Sequence, residues 1–167
     1  MASFVLIPAA AGDAQEIASL RNAAAADLTE RFGTGHWSSS VTARGVLFDL
    51  RHARVYLARR RSRIVATLSL QTKKPWAIDT SYFTPCKRPL YLTNMAVAPD
   101  VQRQGLGRCS VEAAIEIARA FPADAIRLDA YDAPAGAGDF YARCRFREVG
   151  GAISRNIPLR YFEWMLS

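Results

Sequence analysis

The segment Asn94–Ala114, NMAVAPDVQRQGLGRCSVEAA, constrains this chain more than any other. An apolar run reads as a strand, Pro99 ends it for want of an amide to give a ladder, and an amphipathic helix begins a few residues later. Gly105 and Gly107 stand at the mouth of that helix. Glycines there permit left-handed torsions and leave the backbone bare, so the amides of Arg103 to Arg108 can converge on an anion with the helix dipole behind them. Arg103 and Arg108 add full charges. The spacing is neither GxxxxGK[ST] nor GxGxxG, because Arg108, Cys109 and Ser110 follow Gly107. On the glycines alone, an anion-binding loop and a tight strand-to-helix turn remain equally open.

Around this segment the hydrophobic periodicity lays out the other elements. Phe4–Pro8 reads as a strand, and Asp13 with Glu16 as a capping box opening a helix that carries Ile17, Leu20 and Ala24 and ends before Phe32–Gly33. Gly35–Ser40 is a polar break whose serines could cap a second helix through about Leu50. Arg54–Arg60 and Arg63–Gln71 alternate like two strands of a hairpin, with an arginine run at the bend that reads as a solvated tip. Thr72–Arg88 is a long connection, Leu90–Ala98 a strand, and Gly105–Ala120 a helix with Leu106, Val111, Ala114, Ile115 and Ala118 inward. Strands at Ile126–Ala130, near Phe146–Val149 and at Arg160–Leu166, with a short helix at Gly138–Arg143 between the first two, complete the order β-α-α-β-β-β-α-β-α-β-β. That order is α+β rather than regularly alternating.

The 167 residues, half of them hydrophobic and 22% charged, suit one globular domain spanning 1–167 with a core that needs no disulfide or metal. Three cysteines cannot all pair, and two histidines without a Cys/His cluster argue against zinc. No run approaches the roughly 20 apolar residues that cross a bilayer, and Met1–Ala11 lacks the charged start of an export signal. The expected location is cytoplasmic, without membrane contact. The net charge of +7 favours polyanions of any kind, including a phosphate-bearing small molecule.

QRQGLG, Gln102–Gly107, resembles the (Gln/Arg)-x-x-Gly-x-(Gly/Ala) signature of the GNAT superfamily of N-acetyltransferases, which use acetyl-coenzyme A. Phe140–Phe146, FYARCRF, resembles the family's (Leu/Phe)-Tyr-x-x-x-Gly-Phe segment, and the order of elements agrees from end to end. The resemblance implies a mixed, mostly antiparallel sheet flanked by helices. It also implies that the backbone of Met95, Ala96 and Val97 meets pantetheine, and that Gln102, Arg103, Gln104, Gly105, Leu106, Gly107 and Arg108 hold the diphosphate. A homodimer is expected by the same analogy.

By that resemblance a neutral acceptor amine attacks the thioester directly, which needs a base for the amine and an acid for the departing sulfur. Tyr141 matches the position of the family's usual acid, and a phenol with an ordinary pKa near 10 suits return of a proton to a thiolate. Packing is its other reading. Asp129, which alternation places on one face with Arg127 and Tyr131, matches a carboxylate that serves as base in some members; an ion pair with Arg127 is the competing reading. Asp79 and Asp132 are reserves.

His36, Trp37, Trp76, Asp79, Tyr82 and Phe83 are the expected walls of the acceptor pocket, and the expected acceptor is a primary amine on a small molecule. Two positions depart from the family pattern. Pro134 stands where many relatives have an asparagine that contacts the coenzyme. Arg145 stands where the glycine before Phe146 is usual, and a positive φ there disfavours a side chain. These departures keep open a catalytically silent acyl-CoA sensor. The basic balance and the Arg59–Arg63 run motivate a third reading, a nucleic-acid-binding or regulatory module on the same fold, although the run lacks interleaved aromatics.

Overall fold

The computed structural model describes residues 4–167. Met1–Ser3, part of the segment read for an export signal, lie outside the described residues. The strands are β1 (Ile7–Pro8), β2 (Arg54–Arg60), β3 (Arg63–Gln71), β4 (Pro89–Val97), β5 (Ala125–Tyr131), β6 (Arg147–Ser154) and β7 (Ile157–Met165). The helices are α1 (Ala14–Phe32), α2 (Ala43–His52), α3 (Leu106–Ala120) and α4 (Gly138–Arg143). The α+β element order matches the sequence expectation, and the strands hydrogen-bond in the order β1-β2-β3-β4-β5-β7-β6. Of the pairs with a defined register, β4/β5 is parallel and β1/β2, β2/β3, β5/β7 and β6/β7 are antiparallel. The chain divides into two compact units, Met1–Gln71 with Thr93–Ala114, and Thr72–Leu92 with Ile115–Ser167.

In the first unit the core gathers Ile17, Ala18 and Leu20 of α1, Val46 of α2, Val55 and Leu57 of β2, Ile64–Ala66 of β3, and Ala98, Val101 and Leu106. The expected strand Phe4–Pro8 shortens at its start to Ile7–Pro8. The expected capping box is not formed. Asp13 already has helical torsions, φ −86° and ψ −9°, and its Oδ2 accepts from the Ala10 amide at 2.8 Å. Glu16 is drawn to the hairpin instead, accepting from the Ile64 amide at 2.7 Å. Thr42, not a serine, caps α2, its Oγ1 accepting from the Gly45 amide at 3.1 Å.

The β2–β3 hairpin has the expected boundaries, but most of its arginines are not loosely solvated. Arg59 pairs with Asp13 at 2.7 Å and Glu16 at 3.2 Å, Arg60 donates to Gln104 Oε1 at 2.8 Å, and Arg63 grips Asp100 with both Nη atoms. Each arginine finds a partner across the unit because the hairpin brings it beside α1 or the loop after β4. Arg61, at the turn with φ 56°, carries no ion pair among the described residues.

In the second unit Ala77, Ile78, Phe83, Tyr91, Leu159 and Tyr161 form a core under the Thr72–Arg88 connection. That connection is strapped to β7. Tyr161 Oη donates to the Ala77 carbonyl at 2.6 Å and accepts from the Asp79 amide at 3.3 Å, while Thr84 donates its amide and hydroxyl to Glu163 at 3.0 and 2.6 Å. β6 and β7 run longer than the sequence suggests. Their tight turn is Arg155–Asn156, with φ of 49° and 65°, a mirror-type turn that no glycine marks.

The five residues expected to face inward from α3, namely Leu106, Val111, Ala114, Ile115 and Ala118, are all buried. The opposite face carries the i,i+4 pair Arg108–Glu112 at 3.0 Å.

Candidate active site

The loop between β4 and α3 is shaped by two left-handed residues, Arg103 at φ 61° and Gly105 at φ 84°. A Cβ at Gly105 would meet nothing within 4 Å, so the torsion and not the space calls for glycine there. Gln102 Nε2 donates back to the Val97 carbonyl at 3.0 Å and ties the loop to its strand. Gln104 is held from the hairpin by Arg60. The helical backbone ladder begins with the Cys109 amide on the Gly105 carbonyl at 3.0 Å. The amides of Leu106, Gly107 and Arg108 precede it and have no intrahelical acceptor. A diphosphate fits such a set of bare donors at a positive helix end.

The two basic side chains at the mouth differ. Arg103 has no ion pair among the described residues, whereas Arg108 gives its Nε to Glu112. That bond leaves both Nη groups of the exposed Arg108 side chain without an ion pair among the described residues.

β4 hides a feature the sequence reading passed over. Asn94 has φ 53°, a left-handed residue inside a strand, which interrupts side-chain alternation as a bulge does. The available signal was the residue type, since asparagine tolerates this region better than most. Beyond it, Ala96 and Val97 pack on the core of the first unit and Met95 is half-buried.

In the second unit Asp129 lies on β5 directly across from Tyr161 of β7, and Arg127 across from Glu163. The alternation puts Arg127, Asp129 and Tyr131 on one face, as expected, but Arg127 does not pair with Asp129. Its guanidinium donates to the Thr84 carbonyl at 2.7 Å and Tyr91 Oη at 3.3 Å, and lies 5.1 Å from the Phe83 ring centre. Asp129 forms no ion pair among the described residues. Burial pushes its carboxyl above the ordinary range, against a smaller opposing pull from backbone hydrogen bonding.

Tyr141 is buried on α4, with ring centres of Phe140, Phe146 and Phe162 at 5.2, 5.7 and 6.2 Å. Burial drives its phenol well above the ordinary tyrosine value, and the charges of Asp129 and Cys144 add to the shift. Tyr131 and Tyr161 are raised too, by burial first and with Asp129 contributing to both. Three phenols thus feel the Asp129 charge: Tyr141, Tyr131, which alternation placed on the face of Asp129, and Tyr161, which the sequence did not single out.

The expected acceptor walls fall in both units. Trp76, Asp79 and Tyr82 lie together on the Thr72–Arg88 connection, whereas His36 and Trp37 belong to the first unit. Trp76 is capped by the Arg155 guanidinium, 4.3 Å from the ring centre, and Tyr82 packs 5.5 Å from Tyr161. Asp79 serves a local turn: bonds from the Ser81 hydroxyl at 2.7 Å and amide at 3.0 Å hold its carboxyl below the ordinary range. Trp37 folds back on its own turn, donating to the Gly33 carbonyl at 3.0 Å. Beside it runs a groove of about 640 Å³, lined by Asn22, Thr29, Glu30, Thr34 and the serines Ser38–Ser40, that the sequence did not suggest.

Both departures have visible backbone consequences. The turn after Pro134 closes through the Gly136 amide on the Ala133 carbonyl at 2.8 Å. Arg145 takes φ 69°, the left-handed torsion expected at a glycine position. Among the described residues no group of three histidine, cysteine or acidic side chains is placed to hold a metal, and no helix is long and apolar enough to cross a membrane.

The sequence model of the Acetyltransferase (GNAT) family matches residues 17–146. No curated protein matches the chain significantly. Among solved structures, a GNAT-family acetyltransferase from Listeria monocytogenes 4b F2365 is 16% identical at TM-score 0.75, over 98% of this chain and 95% of that one. The ribosomal-protein-S18-alanine N-acetyltransferase of Escherichia coli is 16% identical at TM-score 0.71, over 99% and 95%. The Salmonella typhimurium protein yncA, solved with its cofactor acetyl-CoA, is 15% identical at TM-score 0.70, over 98% and 94%. At these identities the likeness establishes a shared fold, and with the family match over most of its length the chain belongs to the GNAT acetyltransferase family.

Proposed function

We propose that the chain is an acetyl-CoA-dependent N-acetyltransferase, acting as one catalytic domain over residues 1–167 in the cytoplasm, whose acceptor is a primary amine on a small molecule. The observation that carries this reading is the loop before α3. Left-handed Arg103 and Gly105 turn the chain so that the Leu106, Gly107 and Arg108 amides stand ahead of the helical ladder. Those amides, with Gln102, Gln104 and the charge of Arg103, suit the diphosphate, and the backbone of Met95, Ala96 and Val97 suits the pantetheine arm.

When bound, the coenzyme supplies an activated acetyl thioester. The chain's own part is to manage two protons. Asp129 without a cationic partner, and with its carboxyl raised by burial, suits taking a proton from the acceptor ammonium, directly or through water. Tyr141 is the proposed donor of a proton to the leaving sulfur; its buried site keeps the phenol protonated and also makes it a weaker acid than an ordinary tyrosine. Trp37, Trp76, Asp79 and Tyr82 are the proposed acceptor contacts. The commitment of Arg59, Arg60 and Arg63 to partners within the first unit weakens the part of the nucleic-acid reading that rested on the arginine run.

Calorimetry with acetyl-CoA and a thiol-release screen over a panel of amines test the proposal together. Binding followed by release with at least one small primary amine is the expected result. Absent binding at millimolar coenzyme overturns it, and binding without turnover on any amine leaves the silent acyl-CoA sensor in its place.

A further inference from the structure

We infer that Arg60, at the tip of the β2–β3 hairpin, binds the phosphate monoester on the ribose of the coenzyme and so sets a preference for donors that carry this group. The inference rests on the transferase reading above and deepens its account of the donor.

Arg60 stands directly across the hairpin from Arg63. Cross-strand partners share a face of the ladder, and like charges so placed repel. The structure relieves the two arginines differently. Arg63 is neutralised by Asp100, which it grips with both Nη atoms at 2.8 and 3.1 Å. Arg60 has no ion pair among the described residues and gives its Nη1 to a neutral amide oxygen, Gln104 Oε1, at 2.8 Å. Arg59, the residue before it, shows that the hairpin tip has carboxylates to hand, since it pairs with Asp13 and Glu16. Arg60 is therefore held in place without being neutralised, and its side chain is open to solvent.

The partner fixes where that charge stands. Gln104 lies between left-handed Arg103 and Gly105, just ahead of the amides proposed to hold the diphosphate, and hairpin and loop belong to the same unit. Because Gln104 accepts at Oε1, its Nε2 donors are left for another acceptor. In the coenzyme one ribose carries both the diphosphate and the phosphate monoester, so docking the first at the Leu106–Arg108 amides brings the second close to this loop. A monoester carries about −1.5 to −2 charges at neutral pH. It offers an unpaired guanidinium far more than a water shell does, and Arg60 keeps Nε and Nη2 for it beyond the bond to Gln104.

Calorimetry compares acetyl-CoA with acetyl-dephospho-CoA, which keeps the diphosphate and lacks the monoester, on wild type, Arg60→Gln and Arg60→Glu. Wild type should bind acetyl-CoA about three- to thirtyfold more tightly, by a ratio that shrinks as salt is raised. Arg60→Gln should weaken acetyl-CoA toward the dephospho value and leave acetyl-dephospho-CoA close to wild type. Arg60→Glu should abolish or invert the ratio, since a carboxylate then faces the phosphate. Equal affinities on wild type, or a ratio that survives both substitutions, overturn the assignment. Equal weakening of both ligands by Arg60→Gln overturns it as well and leaves Arg60 as a clip that shapes the loop through Gln104. Failure of wild type to bind acetyl-CoA at all would strike the transferase reading, and this assignment with it.

Discussion

Asp129 and Tyr141 lie on opposite faces of the β5–β7 ladder. Asp129 faces across to Tyr161, whose hydroxyl straps the Thr72–Arg88 connection, while Tyr141 packs on Phe162, the register partner of Leu128. Side chains alternate along a strand, so neighbouring positions 128 and 129 serve the two sides. The proposed base and acid are thereby kept from sharing one proton. The charge of Asp129 still adds to the upward shift of the Tyr141 phenol.

Asp129→Asn should lower turnover by about 10²–10⁴-fold while acetyl-CoA binding is unchanged, and the acidic limb of the wild-type pH–rate profile should vanish with it. The sign of the stability effect is opposite. A carboxyl raised in the folded state contributes stability at low pH that is lost as pH rises through its folded value, because an ionised buried carboxylate is disfavoured. The variant should therefore melt higher than wild type near neutral pH, with the difference closing in acid. Thermal melts from pH 3 to 8 read this directly.

Tyr141→Phe removes one hydroxyl from an aromatic cluster and keeps its ring contacts. Thiol release should fall by about 10²–10⁴-fold if the phenol is the acid, with coenzyme affinity and melting temperature close to wild type. An unchanged rate would assign Tyr141 to packing alone.

How much of this was legible beforehand depended on which force set each feature. Hydrophobic periodicity marks Arg54–Arg60, Arg63–Gln71 and Gly138–Arg143 at their observed limits, and it selects the buried face of α3 correctly, because burial itself imposes the period. Features set by competing partners were not legible. Asp13 and Glu16 have capping-box spacing, yet Arg59 and the Ile64 amide, more than 40 residues away, claim Glu16. Left-handed torsions were legible at Gly105 and, through the family pattern, at Arg145. They were hidden at Asn94, Arg103, Arg155 and Asn156, where no glycine marks them. Of the proposed site, the loop before α3 and the candidates Asp129 and Tyr141 were named from sequence through the family pattern. That Asp129 lacks an ion pair with Arg127 could not be read there, since it depends on Arg127 turning to Thr84 and Tyr91.

Arg145→Gly should stabilise the fold. The side chain is exposed, and the residue holds φ 69° while its amide bonds the Ala142 carbonyl at 2.9 Å. A left-handed torsion costs a non-glycine residue roughly 1–2 kcal/mol, and the added freedom of glycine in the unfolded chain returns about 0.4–1 kcal/mol of that. A net gain of about 0.5–1 kcal/mol corresponds to a rise of roughly 1–4 °C in melting temperature. A lower melting temperature would show that the arginine side chain makes a contact worth more than the torsion.

Glu163→Gln tests the strap that fixes the connection carrying Trp76, Asp79 and Tyr82. The Glu163 side chain is fully buried and accepts from the Thr84 amide and hydroxyl and from Arg147. Burial by itself raises a carboxyl, but here the bonds from Thr84 and Arg147 outweigh it and hold Glu163 below the ordinary range. A group lowered in this way contributes stability above its unfolded value and loses it as pH falls through the folded one. The amide keeps the shape but forfeits charge-assisted bonds, so the loss should be about 1–3 kcal/mol at neutral pH and should shrink toward pH 3. Denaturant titrations of both proteins at pH 7 and pH 3 measure the two differences, and an equal difference at both would mean that the carboxylate's charge contributes nothing to the strap.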